Sequence, residues 1–334
     1  MMKFKEVTNY LVAFFIIISL NFLLPRLMPG DPLTAIYGEE AMIQMTPELK
    51  ARLVERFALD RPLTGQFGAY LLSLLKGDLG YSYFYNAPVI NVILGTLPWT
   101  FLLVGTAIVI STIIGTILGM ESGWRRGKKI DRAILAGTMF LDGLPDFFLG
   151  MVLLILFGVI LEIFPLAGAM TPYAGYAGIT LVLDVLKHLV LPAAALTLVN
   201  LPGAYLLARN SIVTTLGEAF ILTARAKGLK DGVVRYRHAG RNSLLPVITH
   251  TGMQVGRMLT GALFIETVFS YSGLGLLIQK ALQTRDYPLL QGIFLVITVF
   301  VLVSNFFVDI LYNKIDPRLK SCTLNTGKKL NQTI

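Results

Sequence analysis

One cysteine, three histidines and few charges set the first limits on this 334-residue sequence. The lone Cys322 excludes a disulfide framework within the chain. His188, His238 and His250 form no close cluster with cysteine or carboxylates, which leaves too few ligands for a structural metal site. Charged residues make up 15% of the chain, against roughly a quarter in soluble domains. There is no P-loop. The nearest approach, Gly123-Trp-Arg-Arg-Gly127-Lys128-Lys129, has the wrong spacing and lacks the magnesium-binding hydroxyl. No internal repeat marks the inverted halves of a secondary transporter, and no serine–histidine or paired-aspartate arrangement supplies a hydrolase nucleophile with its base.

What the chain has in quantity is uncharged apolar sequence. Hydrophobic residues reach 54% and mean hydropathy is +0.68. They come in blocks, without the polar stripe of a water-facing helix. A bilayer core of about 30 Å takes about 20 helical residues, and six stretches are long enough. They lie near Thr8–Leu27, Thr96–Met120, Ala133–Leu161, His188–Ala208, Leu244–Phe269 and Pro288–Ile310. Pro192 and Pro202 fall in the fourth, where membrane helices tolerate proline. Lys3 and Lys5 precede the first, as in a secretory leader. Its uncharged run from Val7 to Pro25 is long for one, and Pro25-Arg26-Leu27-Met28-Pro29 is no small-x-small cleavage site, so it is expected to remain as a span.

The cations then orient these stretches. Nineteen of the 29 Lys and Arg fall on one side: the N-terminus, 125–132, 209–241 and the C-terminal end. The other side carries the segment Gly30–Gly95, where five cations face seven carboxylates. Both termini are thus expected in the cytoplasm. The net charge of +9 is topological and implies no nucleic-acid partner. The sequence divides into a first span (1–29), an external helical insert (30–95), a membrane core (96–320) with a cytoplasmic segment at 209–245, and a disordered tail (321–334). Within the insert, Thr46-Pro47-Glu48 is a helix start, Asp60-Arg61-Pro62-Leu63 a turn, and Gln66–Leu75 a second amphipathic helix.

Two sets of residues invite function. The first is the cytoplasmic segment, with Ala224-Arg225-Ala226-Lys227-Gly228-Leu229 followed by His238, Arg241, Asn242 and Pro246. Its pattern is a short amphipathic helix stopped by Gly228, then a basic helix. Small side chains allow close approach to a partner's groove, while a basic loop held against anionic headgroups fits the same residues. The second set is ionisable groups in or near the spans. Charge at bilayer depth costs about 2.5–3.5 kcal/mol, so Asp142, Asp146, Arg257 and Glu266 are candidate lining for a translocation path. Arg257 is expected to pair with Asp142 or Asp146, or to line an aqueous cavity.

Eight motifs in order give the sequence a family resemblance. They are Leu27-Met28-Pro29-Gly30-Asp31-Pro32, Leu59–Leu63, Gly77–Ser82, Thr223–Leu229, His238–Asn242, Glu266–Ser270 with Gly273–Gly275, Arg285–Pro288 and Asp316–Arg318. The chain resembles the inner-membrane permease subunits of the dipeptide/oligopeptide/nickel class of ABC importers. That resemblance implies an all-α membrane fold of type I importer permease kind, in the cell membrane. It also implies that 224–229 couples to an ATPase. The expected partners are a second permease subunit, one or two cytoplasmic ABC ATPases that bind the ATP, and an external substrate-binding protein, within membrane lipid. The permease itself is expected to be non-catalytic and to need no cofactor. Its cargo would be a peptide, with a nickel chelate or a glutathione-like compound as alternatives; a self-sufficient secondary transporter is the reading outside the family. One departure stands out. The general importer motif opens with Glu-Ala-Ala, and this chain has Leu222-Thr223-Ala224, so Arg225 or Lys227 is the expected polar anchor.

Overall fold

The computed structural model describes residues 4–27, 32–56 and 62–315. Among these the secondary structure is helical apart from turns and one isolated bridge, Tyr81 with Pro88. The helices are α1 (Phe4–Leu27), α2 (Pro32–Tyr37), α3 (Glu39–Gln44), α4 (Pro47–Arg56), α5 (Leu63–Leu75), α6 (Val89–Trp124), α7 (Lys129–Asp142) and α8 (Asp146–Leu153). They continue as α9 (Ile179–Leu216), α10 (Ala219–Ala226), α11 (Arg241–Val268), α12 (Leu274–Gln283) and α13 (Tyr287–Ile315). Two π-helical stretches, Leu154–Ile160 and Val233–Gly240, extend α8 and precede α11. The motif at 28–31, the turn at 57–61, the tail and Cys322 lie outside the described residues.

Among the described residues, three helices are long and apolar enough to cross a membrane: Val89–Trp124, Ile179–Leu216 and Tyr287–Phe306. A fourth candidate is a bent pair. The stretch expected to run unbroken over Ala133–Leu161 is divided into Lys129–Asp142 and Asp146–Ile160, bent by 101°. Pro145 causes this. It lacks an N–H, disfavours helix at Leu144, and stands extended (φ −61°, ψ 142°) as the N-cap of α8. Helices α1 and α11 occupy the remaining two apolar stretches.

The chain forms two compact units, Met1–Phe101 with Ser270–Phe300, and Leu102–Phe269 with Val301–Ile334. In the first, Phe22 of α1 packs against Phe67 and Tyr70 of α5, with ring centroids 5.0 and 5.7 Å apart. Buried Asp286 organises the turns: it accepts from Ser82 Oγ (2.5 Å) and Phe84 N (3.0 Å) while capping α13 through Leu289 N (3.2 Å). Thr100 Oγ1 likewise caps α12 at Leu274 N (2.7 Å). In the insert, Thr46 Oγ1 accepts from Leu49 N (3.4 Å), the expected N-cap of α4. Helix α5 starts at Leu63, three residues before the expected Gln66, and buries no residue.

The second unit is built on a seam of small residues. Gly115, Gly119 and Gly123 recur every fourth residue on α6 and face Ala204, Ala208 and Ile212, spaced the same way on α9. A Cβ at Gly119 would stand 2.6 Å from the Tyr205 carbonyl oxygen, 2.7 Å from Ala208 Cβ and 2.9 Å from Arg209 N. Between membrane helices there is no water to expel, so such direct backbone approach is what holds them.

Candidate functional site: the segment at 217–241

Helix α9 ends at Leu216, Gly217 closes it, and extended Glu218 starts α10. The eight residues of α10 present two faces. Ile221 and Ala224, three apart, are buried in a core with Met120, Ile212, Val234 and Ala239, against which Trp124, Leu216 and Leu244 pack. The opposite face is open, with Leu222 64% exposed and Thr223, Arg225, Ala226 and Lys227 also exposed. The helix stops where the sequence indicated. Lys227 N and Gly228 N close the last turn on the Thr223 and Arg225 carbonyls, and Gly228 has φ +72°. A Cβ at Gly228 would meet nothing within 4 Å, so the glycine is needed for its backbone angle and not for space.

Of the residues singled out in the sequence, Ala224 faces inward, whereas Arg225, Ala226, Lys227, Gly228 and Leu229 face outward. His238 is half-buried on the π-helix, Arg241 is exposed at the start of α11, and the Asn242 side chain lies outside the described residues. Arg225 serves as an anchor within the chain. Its Cζ lies 5.4 Å from the Trp124 ring centre, and the Arg235 Cζ lies 5.6 Å from the same ring.

Beneath α10 are two charge networks that spacing alone did not show. Glu121, in the last turn of α6, accepts from Arg235 Nη1 with both oxygens (2.7 and 2.6 Å) and also accepts from the Tyr236 hydroxyl. Arg125 Nη2 approaches the same carboxylate at 3.4 Å. The bond to Glu121, with burial second, holds the Tyr236 hydroxyl above its ordinary pKa. In the second network, buried Asp131 at the start of α7 takes Arg209 Nε and Nη2 from α9 at 2.7 and 2.9 Å. Ser122 Oγ (2.5 Å) and Gly127 N (2.8 Å) also donate to it, and Ser122 bonds the Tyr205 hydroxyl at 2.7 Å. A buried carboxylate satisfied by a fork and two further donors is firmly held.

Those candidate translocation residues whose side chains are described stand on α7, α8 and α11. Asp142 is exposed at the end of α7, Asp146 half-buried at the start of α8, and the two flank the 101° bend. Glu266 is fully buried in the last turn of α11. Helix α8 packs on that end of α11, where the Cβ position of Gly150 lies 3.2 Å from Ile265 Cδ1 and 3.5 Å from Phe269 Cε2. The Arg257 side chain, and with it the expected pairing, lies outside the described residues. No group of three metal-ligating side chains occurs among the described residues.

Several long apolar helices, with a short open-faced helix beside a charged buttress, define the class: a multi-pass membrane protein. The chain belongs to the binding-protein-dependent transport system inner membrane components, whose family model matches residues 111–321, the permease class of ABC importers. It is 35% identical to the di/tripeptide transport system permease protein DppB of Pseudomonas aeruginosa strain UCBPP-PA14, over 92% of this chain and 95% of that one. It is 33% identical to the dipeptide transport system permease protein DppB of Escherichia coli K12, and 36% to that of Alkalihalophilus pseudofirmus, each over 90% of this chain and 93% of the relative. It is accordingly a multi-pass inner-membrane transport component.

Proposed function

We propose that this chain is the permease subunit of an ATP-driven importer for dipeptides and oligopeptides delivered by a binding protein. The observation that carries the reading is end-to-end similarity, over nine-tenths of both chains, to permeases named for dipeptide and di/tripeptide transport. Hydrolysis of ATP then takes place in one or two separate ATPase subunits, a second permease completes the pathway, and the chain contributes no catalytic group or cofactor. Six spans with both termini in the cytoplasm follow from the cation distribution, with 30–95 external, 209–245 cytoplasmic and the tail at 321–334.

In this reading α10 is the surface that enters the ATPase. Its open face, Leu222, Thr223 and Arg225 through Leu229, is basic, and Gly228 turns the chain away without adding bulk. Asp142, Asp146 and Glu266 are proposed path residues, because charge at membrane depth is retained where water or a polar cargo meets it. Uptake of a radiolabelled dipeptide by cells lacking this subunit, with and without the restored gene, tests the function. Equal uptake in both strains would overturn it. Single-cysteine labelling after Cys322→Ser tests the orientation, which requires position 50 to react in intact cells.

A further inference from the structure

A pull on α10 has two peptide routes into the membrane, back through Gly217 to α9 and forward through the π-helix Val233–Gly240 to α11. Helix α6 has none, since its last residue, Trp124, precedes α10 by the whole of α7, α8 and α9. Its end is nevertheless tied to both sides of the segment. Glu121 chelates Arg235 through both oxygens and holds the Tyr236 hydroxyl. The guanidiniums of Arg225, from α10, and Arg235, from the π-helix, both lie over the Trp124 ring. Met120 completes the contact from below, in the core that holds Ile221, Ala224, Val234 and Ala239.

We propose that Glu121 and Trp124 form a transmission latch that makes α6 move with the ATPase-docking helix. This rests on the reading of α10 as the docking surface. The arrangement suits the task because its elements resist different motions. The Arg235–Glu121 pair, in which Nη1 meets both carboxylate oxygens, fixes distance and is only 17% and 23% exposed, so water screens it little. The stacked Arg225–Trp124–Arg235 set resists separation of α10 from the π-helix, because the same ring attracts both guanidiniums. Glu121 faces Arg125, Arg235 and the Tyr236 hydroxyl together, so losing it leaves like charges opposed where the two elements meet. Glu121 and Trp124 are positioning residues. They contact neither nucleotide nor cargo, and act by keeping α6 in register with the driven segment.

The test uses the complete complex of both permeases, ATPases and binding protein, reconstituted in liposomes and assayed with a radiolabelled dipeptide. The wild-type dependence of uptake on ATP reads the proposed function, and the variant-to-wild-type ratio of peptide moved per ATP hydrolysed reads the latch. Glu121→Ala and Trp124→Ala should lower that ratio by between about twofold and thirtyfold, the range spanned by residues along a coupling route, while ATP hydrolysis continues. The charge swap Glu121→Arg with Arg235→Glu should restore part of it, since it re-forms the ion pair while giving up the cation over Trp124. Spin labels at positions 126 and 222, both exposed, give a readout independent of activity. In wild type the distance should stay constant on ATP binding, and in Glu121→Ala it should change. An unaltered peptide-to-ATP ratio in both single variants, or a wild-type label distance that shifts with ATP, overturns the latch.

Discussion

The α6–α9 seam and the α10 segment lie in the same unit and both depend on glycine, for opposite reasons. At Gly119 the backbone conformation is ordinary and the space is absent, since a Cβ would stand within 3 Å of backbone atoms of Tyr205 and Arg209. At Gly228 the space is free and the backbone conformation is special, with φ +72°. The seam holds by close approach of main chains, which suits a medium with no water to expel. The segment holds by ion pairs, stacking and a small apolar core, which suit the surface proposed to meet a partner. Packing therefore fixes the α6–α9 seam, and charge positions α10.

The largest expected effect lies in the ion pair between α7 and α9, beside the seam. Asp131→Ala strands Arg209 in a buried setting and should lower the stability of the solubilised subunit by about 3–5 kcal/mol, read from denaturant or thermal unfolding followed at Trp124. A shift under 1 kcal/mol, on the order of a surface pair, would show the network to be solvated. Gly119→Ala comes next. Overpacking a closed seam costs about 1–3 kcal/mol, and the subunit should separate or aggregate at lower temperature in detergent. Gly228→Ala should be milder, about 1–2 kcal/mol of backbone strain at the end of α10, with the seam unaffected. If Gly228→Ala proved worse than Gly119→Ala, the comparison would be reversed. Smallest is Tyr236→Phe, which removes one hydroxyl bond to Glu121. It should cost about 0.5–1.5 kcal/mol and lower coupling less than loss of Glu121 itself.

Much of the local architecture was legible because its causes are local. The Thr46 cap, the start of α4 beside it and the stop at Gly228 each follow from a few adjacent residues. The break at Pro145 was legible in principle, but hydropathy summed over Ala133–Leu161 passes across it, and the apolar content masks the missing N–H. The seam carried a readable signal too, since Gly115, Gly119 and Gly123 repeat at the spacing of close-packed membrane helices. The buttress did not. Asp131 and Arg209 are 78 positions apart, and Glu121 and Arg235 are 114 apart, so only the fold makes them neighbours. Among the intramembrane candidates, the cost of charge at depth drew Glu266 in with Asp142, Asp146 and Arg257, yet it could not indicate that Glu266 would be fully buried.

The lengths of α6 and α9 carry a mechanical consequence. With 36 and 38 residues they measure about 54 and 57 Å, whereas crossing the hydrocarbon at a 20° tilt takes only about 32 Å. More than 20 Å of each rod therefore stands clear of the hydrocarbon, and α10 is attached at the tip of one of them. A rod pivoting within the bilayer converts a small rotation into a longer arc at its end: about 10° around its midpoint swings the tip of a 57 Å helix through about 5 Å. The same gearing works in reverse, turning a broad stroke at the tip into a fine, forceful rotation at the pivot.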